Sequence, residues 1–281
     1  QYVRSIPEIN VTVADARDSR AFDLRGIFEF RRLPQVQYIE KETMYYAIRT
    51  PNDPLYSDQG NQARLEVATA WDATTGSASV LVAVSDTGTQ MDHPDLQGQI
   101  WTNGGEIAGN GVDDDNNGYV DDVHGWDFAD NDNDPTDGNK HGTHVSGIIG
   151  ARGNNSIGVA GANWNVTIMP VQFLTAQGSG TLQGGVDTIL YAAKNGARAV
   201  NCSWGGGGFS QALYDAIDFA WKQGTLVIAA SGNDGKDTDA APMYPAGYDH
   251  PGILSIASNQ GDGSLSSFSN FGLTRTVVAA P

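Results

Sequence analysis

Three short stretches of the 281-residue chain combine residue types that can do chemistry. The first is Val82-Ala83-Val84-Ser85-Asp86-Thr87-Gly88, where an acid follows an apolar, β-branched run. An acid at a strand's carboxyl end, before a Thr-Gly turn, can orient a base; standing alone it can equally cap a helix or close a turn. The second is His141-Gly142-Thr143-His144-Val145-Ser146-Gly147. Two histidines three apart share a helix face and suggest a metal, but the glutamate of the His-Glu-x-x-His pattern is missing. Gly142 and Gly147 weaken a helix and call for the close approach of a neighbouring element. The third is Ala229-Ala230-Ser231-Gly232-Asn233-Asp234-Gly235. A carboxamide in a glycine-rich turn at a strand's end can aim an N–H at a developing oxyanion, although Asn-Asp-Gly is also ordinary turn chemistry.

A fourth feature is charge. Ten aspartates fall between Asp113 and Asp137, and the net charge is −17. Phosphate binding needs a positive face, so neither nucleic acid nor an anionic membrane is expected as a partner. Crowded carboxylates repel, and a hard cation held by oxygen ligands is one cause for such a loop. A solvated acidic surface and adaptation to high salt are the alternatives. Asp113-Asp114-Asp115-Asn116-Asn117-Gly118 resembles the start of an EF-hand loop, with no glutamate at the twelfth position. Asp113, Asp115, Asn117 and Asp122 are the candidate ligands there. The single cysteine, Cys202, excludes an internal disulfide and any cysteine-based zinc site. Its apolar surroundings in sequence read as a buried structural thiol.

These residues need elements to hold them. Apolar β-branched runs at 80–84, 166–173, 197–202, 226–230, 253–257 and 276–279 read as strands. Helical stretches over 63–72, 141–150, 181–195 and 211–223 lie between them. Continuous apolar strands alternating with helices mean a parallel sheet covered on both faces, with ligands at the carboxyl ends of the strands. Residues before Thr50 differ in character. Val11 and Val13 alternate like a strand, Phe22 to Leu33 has a helix-like pattern, and Val36, Tyr38 and Ile39 suggest another strand. Thr50-Pro51-Asn52-Asp53-Pro54 reads as an extended linker. No apolar run approaches the roughly 18 residues that span a bilayer.

Taken together, Asp-Thr-Gly, His-Gly-Thr-His-Val-Ser-Gly and Ser-Gly-Asn-Asp-Gly resemble the motifs of the subtilisin-like serine proteases, in family order and at family-like spacing. The resemblance covers nearly everything after Thr50 and is closest to the thermitase-like branch. It implies an α/β, three-layer subtilisin-like fold on a mostly parallel, doubly wound sheet. It also implies that Asp86 orients the histidine, His141 is general base and then acid, and Asn233 donates to the oxyanion. His144 matches a second, structural histidine of the family.

Further expectations follow from the same resemblance. Gly178, Ser179 and Gly180 would pair with one side of a substrate backbone. Ser203, Trp204 and Gly205 would pair with the other, and with Ala230, Ser231 and Gly232 would wall the first specificity pocket. Trp204 stands where many relatives have leucine. Structural calcium is implied at two or three sites: Asp53, Asp95 and Asn155 with carbonyls of Ile157 and Val159; Asp127, Asp130 and Asp132; and the acidic loop above. Residues 1–48 resemble the second half of an inhibitory, α+β ferredoxin-like prodomain, with 49–281 as the catalytic domain. The prodomain would occupy the groove of its own enzyme.

The family's nucleophile sits in a Gly-Thr-Ser-Met-Ala motif, which these 281 residues do not contain. Ser203, Ser266 and Ser269 lack that context. The segment ending at Pro281 resembles the strand shortly before the motif, so the catalytic domain is expected to continue past it and the chain to be inactive alone. The resemblance implies a secreted, monomeric endopeptidase acting on proteins or peptides, made as a zymogen. Completion by a separate chain is a second reading. A non-catalytic, peptide-binding relative is the third, which intact Asp86, His141 and Asn233 argue against.

Overall fold

The computed structural model describes residues 2–7, 11–14, 32–39, 50–276 and 278–281. The chain forms two compact units, Gln1–Ala47 and Ile48–Pro281. In the first, strands β1 (Tyr2–Ile6) and β2 (Val11–Ala14) pair antiparallel, with Ile6 opposite Val11. The helix-like stretch from Phe22 lies mostly outside the described residues. Residues 36–39 form no strand. The Val36 N–H instead closes a turn by donating to the Leu33 carbonyl (2.9 Å). Alternating apolar residues become a strand only where a partner ladder accepts them.

The second unit carries seven strands: β3 (Gly76–Asp86), β4 (Trp126–Asp127), β5 (Asn165–Gln172), β6 (Ala199–Cys202), β7 (Leu226–Ala230), β8 (Ile253–Ser258) and β9 (Val278–Ala280). All pair parallel, in the order β4-β5-β3-β6-β7-β8-β9. The helices are α1 (Gly60–Arg64), α2 (Val67–Ala73), α3 (His141–Gly150), α4 (Leu182–Lys194) and α5 (Gln211–Lys222). The stretch expected as one helix over 63–72 is broken where Glu66 adopts a left-handed φ of 52°.

Strand side chains alternate between faces. Val84 and Ile168 pack with Val145 and Ile149 of α3. Ala83, Met169, Val171 and Val200 pack with Ile189 of α4 and Ile217 of α5. Opposite alternates therefore enter two cores, one on each face, and the result is three layers with a doubly wound sheet. The helix starts fit this reading: Thr181 accepts from the Gly184 N–H and Ser210 from the Leu213 N–H, each an N-cap hydroxyl. Because β3, β6 and β7 are parallel neighbours, Asp86, Cys202 and Ala230 all finish at one edge. β3 has β5 and β6 on its two sides, so chain order reverses around it, and a crevice opens there.

Candidate active site

Asp86 is wholly buried at the end of β3. Its Oδ1 accepts from the Thr87 N–H (2.7 Å) and lies 2.7 Å from His141 Nδ1. An ionised carboxylate only accepts, so the proton sits on Nδ1 and the Nε2 lone pair is left outward. The histidine side chain is 46% exposed, so its ring is accessible from outside. The other oxygen of Asp86, Oδ2, is buried and makes no hydrogen bond among the described residues.

His141 is the first residue of α3, whose leading N–H groups have no partner within the helix. Two side chains supply partners. Thr87 Oγ1 accepts from the Gly142 N–H (3.0 Å) and donates to Asp137 Oδ1 (2.9 Å). Asp137 Oδ2 accepts from both the N–H and the hydroxyl of Thr143, and Oδ1 also takes the N–H groups of Asn139 and Lys140. Thr143 Oγ1 in turn accepts from the Gln90 N–H. The turn after Asp86 and the helix start at His141 are thus cross-tied through one carboxylate. Burial alone would raise the Asp137 pKa, but these hydrogen bonds outweigh it and hold the group below the ordinary carboxylate value. Gly142 has its close neighbour, since any side chain there would collide with the Gly88 carbonyl. Gly147 has open space and no such reason. His144 is exposed on α3, and its imidazole makes no hydrogen bond among the described residues.

Asn233 follows β7 and is exposed. Its amide engages no hydrogen-bond partner among the described residues, which leaves its donors available. Ser203, Trp204 and Gly205 follow β6. The Trp204 indole N–H donates to Ser85 Oγ (3.1 Å), and its ring meets Phe173 edge-on at 4.8 Å. Gly178, Ser179 and Gly180 are exposed, with the Thr175 N–H donating to the Ser179 carbonyl in a tight turn. Cys202 is fully buried, and burial together with the charge of Asp86 pushes its thiol pKa up. It is an inert thiol, not a nucleophile. Met243 was not legible in the sequence as a site residue, yet it lies between Gly205 and Gly232.

The acidic residues fall into three clusters. In the first, Asp53 and Asp95 are buried, and Asn155 joins them: its N–H donates to Asp53 Oδ1 and its amide to Asp95 Oδ1. Asp95 Oδ2 accepts from the Val159 N–H, and Asn155 Oδ1 from the Ile157 N–H. Left-handed residues at Asn154, Ser156 and Gly158 wrap the loop around these carboxylates, and any side chain at Gly158 would strike Asp95 Oδ2. No lysine or arginine pairs with either acid among the described residues. Buried, unneutralised, oxygen-only donors fit a hard cation.

In the second cluster, Asp127 is buried and bridges to Asp132, while Asp130 and Asp132 are exposed. Burial, helped by those two charges, raises the Asp127 pKa against hydrogen bonds from the Ala129 and Asp130 N–H groups. In the third, the carboxylates that converge are Glu106, Asp113 and Asp115, whose oxygens lie within 4.8 Å of one another. Glu106, unremarked in the sequence, accepts from the N–H groups of Asp114, Asp115 and Asp121. Asp122 is buried beside them, accepting from Tyr191 OH (2.5 Å) and from the amides of Asn103 and Asn117, both of which also donate to Asp115. The structure thus adds a glutamate to the loop acids that the sequence suggested.

A family model of the subtilase family matches residues 77–281. The chain belongs to the subtilase family. This subtilase is 38% identical over 247 residues to the thermophilic serine proteinase of Bacillus sp. (strain AK1), covering 88% of the chain and 55% of that protein. It is 38% identical to thermitase of Thermoactinomyces vulgaris, over 82% of the chain and 73% of that protein. Halolysin of Haloferax mediterranei is 37% identical, and the chain spans 43% of its length. Among solved structures, a protease from Pseudoalteromonas arctica superposes with a TM-score of 0.69 at 31% identity, over 83% of this subtilase and 72% of that chain. No helix among the described residues is long and apolar enough to cross a membrane.

Proposed function

We propose that this subtilase is a secreted, calcium-stabilised serine endopeptidase, made as a zymogen. The observation that carries the reading is the hydrogen bond between the buried Asp86 Oδ1 and His141 Nδ1 (2.7 Å), at the carboxyl edge of a parallel sheet. A serine hydroxyl attacks a peptide carbonyl only when a base takes its proton. His141 Nε2 is free to do so, and Asp86 fixes the tautomer and stabilises the imidazolium that forms. His141 then returns the proton to the leaving amine. Asn233 would donate to the oxyanion, and an extended substrate would add as a strand between 178–180 and 203–205. Within the described residues no serine hydroxyl is hydrogen-bonded to His141. The nucleophile of this reading is a serine in a Gly-Thr-Ser-Met-Ala context, a motif that these 281 residues do not contain.

Calcium, when bound, supplies charge neutralisation and cross-links loops. Asp53, Asp95 and Asn155 with the 157–159 backbone would hold one ion. Asp127, Asp130 and Asp132 would hold a second, and Glu106, Asp113 and Asp115 a third. Residues 1–48 are read as an inhibitory prodomain. Relatives whose names describe them as extracellular, from Natrialba magadii and Xanthomonas campestris, support secretion. The deciding experiment is labelling of the full-length product with a fluorophosphonate, which reacts only with an activated serine. Labelling at a serine beyond Pro281 supports the reading. A stop codon after Pro281, or no labelling of the matured protein, favours a peptide-binding pseudoprotease.

A further inference from the structure

The geometry points to Met243 as the residue that sets substrate preference, by closing the crevice between the segments that follow β6 and β7 so that it takes only small side chains. This inference rests on the peptidase reading above and adds the substrate class to it.

Both walls of that crevice are bare backbone. Gly205 lies on one side and Gly232, with φ of 109°, on the other. A methyl group added to Gly205 would come within 2.6 Å of Met243 Cε, and one added to Gly232 would also come within 2.6 Å of it. Met243 Sδ would lie 2.9 Å from the methyl at Gly232. One thioether therefore contacts both walls at once. Its position is fixed by its own segment: the Gly206 N–H donates to the Tyr244 carbonyl (2.9 Å), which ties residue 244 to the β6 side. The β7 side is fixed by Asn270, whose amide donates to the Ser231 carbonyl and whose N–H donates to the Gly232 carbonyl.

A peptide lying along 203–205 turns alternate side chains toward the sheet edge. The side chain that enters between Gly205 and Gly232 must share the space with the Met243 methyl. Glycine, alanine and serine fit beside it. A phenylalanine or tyrosine must displace it. Methionine is flexible, so the exclusion is graded. Apolar pockets discriminate by roughly 10–200-fold per methylene-sized difference.

The test uses the full-length protein and a peptide series with alanine or phenylalanine before the scissile bond. Alanine is expected to be preferred at least about tenfold in kcat/KM. Met243→Ala should raise the phenylalanine-to-alanine ratio by about the same factor. A wild-type protein that cleaves phenylalanine as well as alanine overturns the inference, as does an unchanged ratio in the variant. A second arm needs no catalysis: product peptides ending in alanine or phenylalanine are titrated calorimetrically into the His141→Ala protein. Tighter binding of the alanine peptide supports the closed crevice even if the peptidase reading fails. Tighter binding of the phenylalanine peptide refutes it.

Discussion

Asp137 offers the sharpest perturbation that leaves both Asp86 and His141 in place. Its carboxylate accepts five hydrogen bonds, from three backbone N–H groups and the hydroxyls of Thr87 and Thr143. Asp137→Asn has one acceptor oxygen. Placed at Oδ1 it keeps Thr87, Asn139 and Lys140. The amide NH2 then faces the Thr143 N–H, and both bonds from Thr143 are lost. Bonds to charged groups are worth about 1.5–3 kcal/mol each, and less where water reaches the site. Asp137 is only partly buried, so we expect a total loss of about 1–2 kcal/mol for Asn and about 2–3 kcal/mol for Ala. For a domain of this size the latter lowers Tm by roughly 5–10 °C. Because the released element begins with His141, kcat should fall by up to about 100-fold with little change in KM. The pH dependence has a defined sign. The folded pKa of Asp137 is depressed below 3.8, so its stabilisation is present above the unfolded pKa and disappears as pH falls through the folded value. Wild type and Asp137→Asn should therefore differ fully at neutral pH and converge in acid. Calorimetry across pH with steady-state kinetics checks this. Equal Tm at pH 7 with unchanged kcat would refute the cross-tie.

Two further predictions are simpler. Asn233→Ala should cost about 3–4 kcal/mol of transition-state stabilisation, the figure known for the corresponding donor in subtilisin, with KM nearly unchanged; a loss confined to KM would place Asn233 in binding only. Calcium at about 100 times its dissociation constant should stabilise the protein by about 2.7 kcal/mol per site, and chelation should reverse it. Asp95→Asn should remove the contribution of one site, and a melting midpoint indifferent to calcium and chelator would sink all three sites.

The sheet was readable because its strands are continuous apolar runs, and β7 emerged at Leu226–Ala230 as the sequence suggested. The Asp86 and His141 pairing was expected from the resemblance of their motifs to a known family, and the two side chains lie within 2.7 Å because one ends β3 and the other begins α3. Met243 was not, since its role depends on two glycines 38 and 11 residues earlier in the chain meeting around it. Nothing in the local pattern marks such an arrangement. Glu106 was missed for a similar reason: it precedes the acidic run, and only the fold of the loop returns it to Asp113 and Asp115. Residues 36–39 misled because alternation alone does not distinguish a strand from the turn that the Val36 N–H closes onto the Leu33 carbonyl.

In the proposed mechanism His141, held by Asp86, is the base of a peptide-hydrolysing triad. The most direct measurement is the turnover of casein by the matured full-length protein and its His141→Ala variant, with folding of both verified by calorimetry. Hydrolysis is expected from the first and a loss of about 10⁶-fold in kcat from the second, as for the equivalent histidine of subtilisin. Undiminished turnover in a folded His141→Ala protein would contradict this mechanism.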